Sequence, residues 1–385
     1  MKPTLRVEAL TARNCEASAV QEVVDFLDSL ERSPLQHDPR WLEVFAPLED
    51  ESFTVALARQ GSTLVGVSTL TTFSGPYGKV LHANPYLGYG GCSVAATADN
   101  EFAAAVIETL IQAVLAEANA QECITATLST PPFSEDLTGL YERCLQADYS
   151  LSNHYQYHIL DQHPLAGLTS RRREVLTRGI RRAEKGGVRI RRAESLAEVE
   201  AWLVIYAERY RELNAVPLPA PFLKALWQTF GPTGHAELQL AYRDPDGEEG
   251  PTGLLGGTFF LLGRGIVDYF LSAFRSASRN LYPGTLLLDR MFTQLIERGY
   301  SHFNWQSSPD RGGVYTYKKR WGASEGQHAI LTRVLRDVSP LLAAPLAAVR
   351  AGYGLHFVLP YSLWSTQAPV TSESSYPTTG EEASA

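Results

Sequence analysis

Apolar positions along this chain fall into two successive series with the same order of elements. In the first, Val20, Val23, Val24, Leu27 and Leu30 share one helical face and predict a helix over residues 17–30. Residues 53–58 and 63–73 alternate or run apolar, which predicts a strand hairpin about Gln60-Gly61. A long amphipathic helix over 102–118, a strand over 123–128, a short helix over 139–147 and a strand over 155–160 complete it. The second series predicts helices over 196–213 and 222–230, then strands over 236–242 and 254–262 around the polar turn Asp244-Pro245-Asp246-Gly247. A strand over 265–272, a helix over 285–297 and a strand over 302–306 follow. Such alternation is that of an α/β fold, and the shared order reads as a structural repeat with negligible residue identity.

The domains expected are 1–165, a basic helical connector over 166–195, and 196–338. Residues 339–365 are rich in Ala, Leu, Pro and aromatics, and read as a segment docked on the second domain or as a weak membrane-surface contact, with packing preferred. The Ser/Thr/Pro/Glu composition of 366–385 predicts a disordered tail.

A length of 385 residues favours two cores over one, and 44% hydrophobic with 20% charged residues fits a soluble globular protein. No apolar run approaches the roughly 18–20 residues of a membrane span. The first ten residues are mixed and charged, unlike a signal peptide. Cys15, Cys92, Cys123 and Cys144 lie far apart without metal-ligand spacing, and read as reduced thiols of a cytoplasmic protein with no metal site. The net charge of −8 excludes bulk electrostatic attraction to nucleic acid, yet its distribution is uneven. Between Arg171 and Arg192 stand ten basic residues against Glu174 and Glu184 alone. That patch suits phosphate, on RNA, a nucleotide, a cofactor or a lipid headgroup; it equally reads as the solvated surface of a helix.

Candidate chemistry gathers late in the chain. Asn304-Trp305-Gln306-Ser307-Ser308-Pro309 leads through Gly312-Gly313 to Tyr315-Thr316-Tyr317-Lys318-Lys319-Arg320-Trp321-Gly322. A lysine among tyrosines and a tryptophan faces low-dielectric walls, where an ammonium is a strong electrostatic catalyst or has a lowered pKa. The plainer reading is a solvated basic run with Trp321 as a core anchor. Tyr269, Tyr282, Tyr315, Tyr317 and Trp321 could line an acceptor cleft, and Arg275 and Arg311, in loops with Ser272 and Ser307, could clamp phosphate or carboxylate. No nucleophile triad, metal cluster or phosphate-binding P-loop is visible.

The run from Tyr317 to Gly322 resembles the closing motif of the Fem-type peptidyltransferases, the FemAB-like acyltransferases of the GNAT superfamily. Four further segments resemble that family in the same order: Ser33-Pro34-Leu35-Gln36-His37-Asp38-Pro39-Arg40-Trp41-Leu42, the glycine-rich loop from Gly75 to Gly91, Ile180-Arg181-Arg182-Ala183-Glu184-Lys185-Gly186-Gly187-Val188, and Tyr269 to Leu287. The likeness spans roughly residues 33–335. It implies tandem GNAT-like (acyl-CoA N-acyltransferase) domains, mixed sheets flanked by helices, that move an acyl or aminoacyl group to an amine, or a hydroxyl, of a cell-envelope or polysaccharide precursor.

In the resemblance Lys318 stands beside the acyl ester and stabilises the oxyanion. The place of the coenzyme A pyrophosphate falls on Arg279, Gly284 and Thr285 at a helix start, without the full glycine spacing, so the donor is acyl-CoA or aminoacyl-tRNA, the latter served by the Arg171–Arg192 patch. Many relatives carry Asp where Asn304 stands and a small glycine where Gln306 stands. Asp268 is then the fallback base, against the alternative of a buried structural aspartate. Tyr86 and Tyr89 of the glycine-rich loop, with Tyr269, Gln306 and Ser307, are expected to touch the acceptor. The rival readings are a non-catalytic binding protein with the same double fold, taking a glycan or phosphorylated ligand, and an RNA-binding protein resting on the basic patch.

Overall fold

The computed structural model describes residues 4–83, 89–96, 99–243, 253–308 and 311–365. The turn at Asp244-Pro245-Asp246-Gly247, Tyr86 and the expected tail lie outside them. The elements run β1 (Leu5–Thr11), α1 (Ala17–Asp28), α2 (Trp41–Phe45), β2 (Glu51–Gln60), β3 (Thr63–Gly75), β4 (Gly78–His82), β5 (Ser93–Val94), α3 (Asn100–Ala120), β6 (Thr125–Ser129), α4 (Thr138–Leu145) and β7 (Tyr149–Ile159). They continue with α5 (Ser170–Lys185), β8 (Val188–Arg192), α6 (Leu196–Glu212), α7 (Ala220–Phe230), β9 (Ala236–Arg243), β10 (Leu254–Leu262), β11 (Ile266–Phe274), α8 (Pro283–Glu297), β12 (His302–Ser307), α9 (Gly313–Arg320) and β13 (Ser324–Val334). Three short helices end the described residues: α10 (Ser339–Ala343), α11 (Leu346–Tyr353) and α12 (Ser362–Ser365). Two compact units divide it, residues up to 153 with those from 326, and residues 154–325.

In the first unit the strand order is β1-β2-β3-β4-β6-β13, with β5 beside β3. Its neighbours pair antiparallel except β4 and β6. Helix α3 starts where the Asp99 side chain accepts from the N–H groups of Glu101 and Phe102. It buries Val106, Ile107, Leu110, Ile111 and Val114 in one core with Ala56, Leu70, Leu81 and Leu128. The segment from Ser33 to Leu42 is structural in this unit. Trp41 is buried and its indole donates to the Leu35 carbonyl at 2.7 Å, while His37 Nδ1 lies 2.7 Å from Ser93 Oγ.

In the second unit the order is β7-β12-β11-β10-β9-β8, and the one parallel neighbour pair is β11 and β12, joined through α8. A capping box at Ser195 and Glu198 starts α6. The core joins Phe260, Leu262, Leu286, Leu287, Phe292, Phe303, Trp305 and Trp321. Each unit is thus a mixed sheet flanked by helices, with its one parallel pair bridged by a helix.

The boundaries differ from those the sequence suggests. Helix α5 is no separate connector, because Leu176, Ile180 and Ala183 are buried in the same core as Leu286 and Phe292. Strand β13 returns to the first unit to pair with β6, from Ile330↔Ser129 to Val334↔Thr125. Residues 339–365 pack in the first unit, not the second: Leu341, Val349, Tyr353, Val358, Leu359 and Trp364 share a core with Val80 and Ile124. Tyr353 donates to the Gly78 carbonyl at 2.8 Å and lies over Gly75, where a Cβ would stand 2.2 Å from its ring. Among the described residues no helix is long and apolar enough to cross a membrane.

Candidate active site

The parallel register of β11 and β12 runs Ile266↔His302, Val267↔Phe303, Asp268↔Asn304 and stops there, although β11 continues to Phe274 and β12 to Ser307. Along β12 the pairing with β7 also shifts register between Asn304 and Ser307. The cause is local. Gln306 adopts φ +65°, a left-handed conformation that an L side chain rarely takes, and its N–H donates to Asn304 Oδ1 at 3.0 Å. Asn304 Nδ2 donates in turn to Asp268 Oδ1 at 2.6 Å. The strand pair therefore opens immediately beyond Asp268 and Asn304.

Lys318 comes to this opening from α9. It is 1% exposed, and its Nζ donates to the Gln306 carbonyl at 3.2 Å, the Ser307 carbonyl at 3.2 Å and Ser308 Oγ at 2.7 Å. Three acceptors for three N–H groups suit an ammonium rather than an amine. In so dry a setting a cation acts most strongly on a developing negative charge.

Residues 170–319, α5 to α9, match the family described as Acetyltransferase (GNAT) domain. Among solved structures, FemX superposes with a TM-score of 0.61 at 15% identity, over 84% of this chain and 96% of that one. L-PGS from Bacillus licheniformis gives 0.54 at 11%, over 86% and 95%. The C-terminal domain of a putative lysylphosphatidylglycerol synthetase from Agrobacterium fabrum gives 0.52 at 11%, over 87% and 95%. At these identities the structural likenesses show the fold. No curated protein matches the chain in sequence. Residues 170–319 thus carry a GNAT domain, and the chain shares the fold of FemX.

The remaining candidates separate into groups. Tyr317 and Trp321 are core, 9% and 0% exposed, so they do not line a cleft; Trp305 bridges Tyr317 to Tyr269, at ring distances of 6.3 Å and 5.2 Å. Tyr269 itself is half-buried beside the opening. Asp268 is 2% exposed and bonded to Asn304, which fits a structural aspartate better than a general base. Tyr315, Arg311 and Lys319 converge on Glu325. The Tyr315 hydroxyl donates to it, Lys319 stands at 3.2 Å and Arg311 at 3.6 Å. The Tyr315 hydrogen bond first, then Lys319 and Arg311, hold the Glu325 carboxyl below its usual range. Arg311 is thus a surface partner of Glu325, and Arg275 is engaged by Glu208 and the Leu254 carbonyl.

The expected pyrophosphate cradle is only partly open. Gly284 and Thr285 are buried at the start of α8, and α5 crosses there, with a Cβ at Gly179 placed 3.3 Å from Tyr282 and 3.6 Å from Thr285. Arg279 and Asn280 remain exposed on the preceding turn. Tyr89 is 2% exposed and packs edge-on against His328 in the first unit, so it is a core residue rather than an acceptor contact. Sequence reasoning missed Ser308 and Glu325. Ser308 adjoins the residues singled out, but only the fold shows that its hydroxyl meets Lys318.

All ten basic residues from Arg171 to Arg192 are exposed. Several are engaged: Arg173 with carbonyls of 165, 166 and 168, Arg178 with Glu174, Arg191 with Glu198, and Arg192 with Glu237 and the Gly231 carbonyl. Arg181 and Lys185 stand one turn apart on the outer face of α5, on a shallow concavity that also takes in Ser170, Thr177 and Arg178.

Proposed function

We propose that this protein transfers an acyl or aminoacyl group, from acyl-coenzyme A or aminoacyl-tRNA, to an amine of a cell-envelope or polysaccharide precursor. One observation carries the reading: a buried ammonium, Lys318, fixed where the parallel strands β11 and β12 part. A thioester or ester carbonyl placed in that opening lies beside the cation. The acceptor nitrogen attacks the carbonyl carbon, a C–N bond forms, and the carbonyl oxygen takes the negative charge. Lys318 stabilises that charge, and Ser308, whose Oγ accepts from the ammonium, keeps a polarised hydroxyl hydrogen to donate. Collapse breaks the C–S or C–O bond, and the proton lost by the amine ends on the leaving sulfur or oxygen. The acceptor's chemistry rests on the family resemblance of the sequence motifs, and is a proposal for this chain.

Both donors carry phosphate, and the outer face of α5 is the matching cation surface. A charged tRNA would lie along Arg171, Arg178, Arg181 and Lys185. Its affinity would then fall steeply with salt, and Arg181→Glu with Lys185→Glu would weaken it further.

The deciding experiment titrates the full chain with acetyl-coenzyme A and, separately, with aminoacyl-tRNA, then follows turnover of whichever binds. Lys318→Met is expected to keep donor affinity while turnover drops about a hundredfold or more. Equal turnover in the folded variant would sink the reading.

A further inference from the structure

Four residues of the second unit form one hydrogen-bonded line from β11 to α9. The Asp268 carboxylate accepts from Asn304 Nδ2 at 2.6 Å, which decides how the Asn304 amide faces, since its nitrogen must point at the carboxylate. The amide oxygen consequently faces the backbone and accepts from the Gln306 N–H at 3.0 Å. Gln306 is turned left-handed, φ +65°, and this orientation presents its carbonyl to Lys318 Nζ at 3.2 Å. Asn304 is 0% exposed, Asp268 2% and Lys318 1%, so water does not compete for the Asp268–Asn304 bond.

We propose that Asp268 and Asn304 are positioning residues for Lys318. By locking the left-handed turn at Gln306 they set where the ammonium stands at the opening of the β11–β12 pair. The use of that ammonium rests on the acyl-transfer reading; its placement does not. Asp268 acts through Asn304, and no proton passes through the line. A carboxylate and an amide that merely hold each other can exchange places. In the double variant Asp268→Asn with Asn304→Asp, the new amide at 268 donates to the carboxylate at 304, whose second oxygen still accepts from Gln306. A general base at 268 does not survive that exchange.

The test needs no substrate. The folded full chain is treated with limiting acetic anhydride, and acetylation of Lys318 is measured by peptide mass spectrometry against exposed Lys185 in the same molecule. Wild type and the exchanged double variant are expected to protect Lys318 alike. Asn304→Ala, confirmed folded by circular dichroism, is expected to raise Lys318 labelling about tenfold while Lys185 is unchanged, as loss of a buried hydrogen bond implies. A folded Asn304→Ala protein that protects Lys318 as wild type does overturns the proposal. So does a folded double variant in which Lys318 becomes reactive, and that variant decides alone should Asn304→Ala not fold. Turnover with the donor found by titration adds an independent arm: retained in the double variant for a positioning pair, abolished for a base at 268. Failure of both donors to bind would remove the transfer reading and leave the labelling result standing.

Discussion

A Lys-Lys-Arg run on a helix of eight residues is ordinarily solvated, yet Lys318 is 1% exposed while the Lys319 side chain beside it keeps 40%. The difference lies in reach. On α9 Lys318 falls on the face that buries Val314, Tyr317 and Trp321, and the carbonyls at the end of β12 meet it there. Removing its N–H groups leaves those acceptors buried, so Lys318→Met should also lower stability by about 2 kcal/mol, read by denaturant unfolding. A left-handed Gln306 occupies the position where relatives of the resembled family carry glycine. Gln306→Gly should therefore stabilise the chain by about 1 kcal/mol, because it relieves the Cβ strain and keeps the N–H that Asn304 needs. A lower melting temperature for that variant would show that the glutamine side chain contributes more than its backbone costs.

At the scale of elements, long periodic segments were legible. Helices α1, α3, α6, α7 and α8 and strands β2, β3, β9, β10 and β12 lie within a few residues of their expected places. Strands β1, β4, β8 and β13 were not read. β1 and β8 carry Arg6, Arg189 and Arg191 on exposed positions and Glu8 half-buried, and β13 begins with the polar Ser324-Glu325-Gly326-Gln327, so their patterns resemble loops. Packing of α5 on α8 depends on Gly179, whose missing side chain leaves room for Tyr282 and Thr285. Gly179→Leu should separate the two helices and destabilise the second unit by about 1–3 kcal/mol through overpacking, visible as a lower melting temperature. An unchanged melting temperature would mean that α5 is not seated there.

For the whole molecule, stability should depend on pH through buried histidines. Burial lowers His37 and His158 to about 4 and His82 to about 3, with His356 adding to the last. Unfolded, each titrates near 6.5, so below that pH the unfolded chain binds more protons than the folded one. Stability is then complete above about pH 6.5 and falls, by about 1.4 kcal/mol per pH unit per histidine, as the pH drops towards 4. Melting temperatures measured from pH 7.5 to 4.5 check this, and a flat profile would contradict the burial. The sequence by itself determined the local matters: α/β alternation, a repeated order of elements, the basic α5 and the aromatic-lysine segment all follow from periodicity and composition within short windows. Only the tertiary structure decided which residues share a site. Asp268, Asn304, Gln306, Ser308 and Lys318 meet because a parallel strand pair stops at one register position. The same holds for β13 and the closing helices, which rejoin the first unit through apolar contacts spanning more than two hundred residues of sequence. Contacts of that kind depend on which faces pack together, and a pattern read along the chain does not contain them.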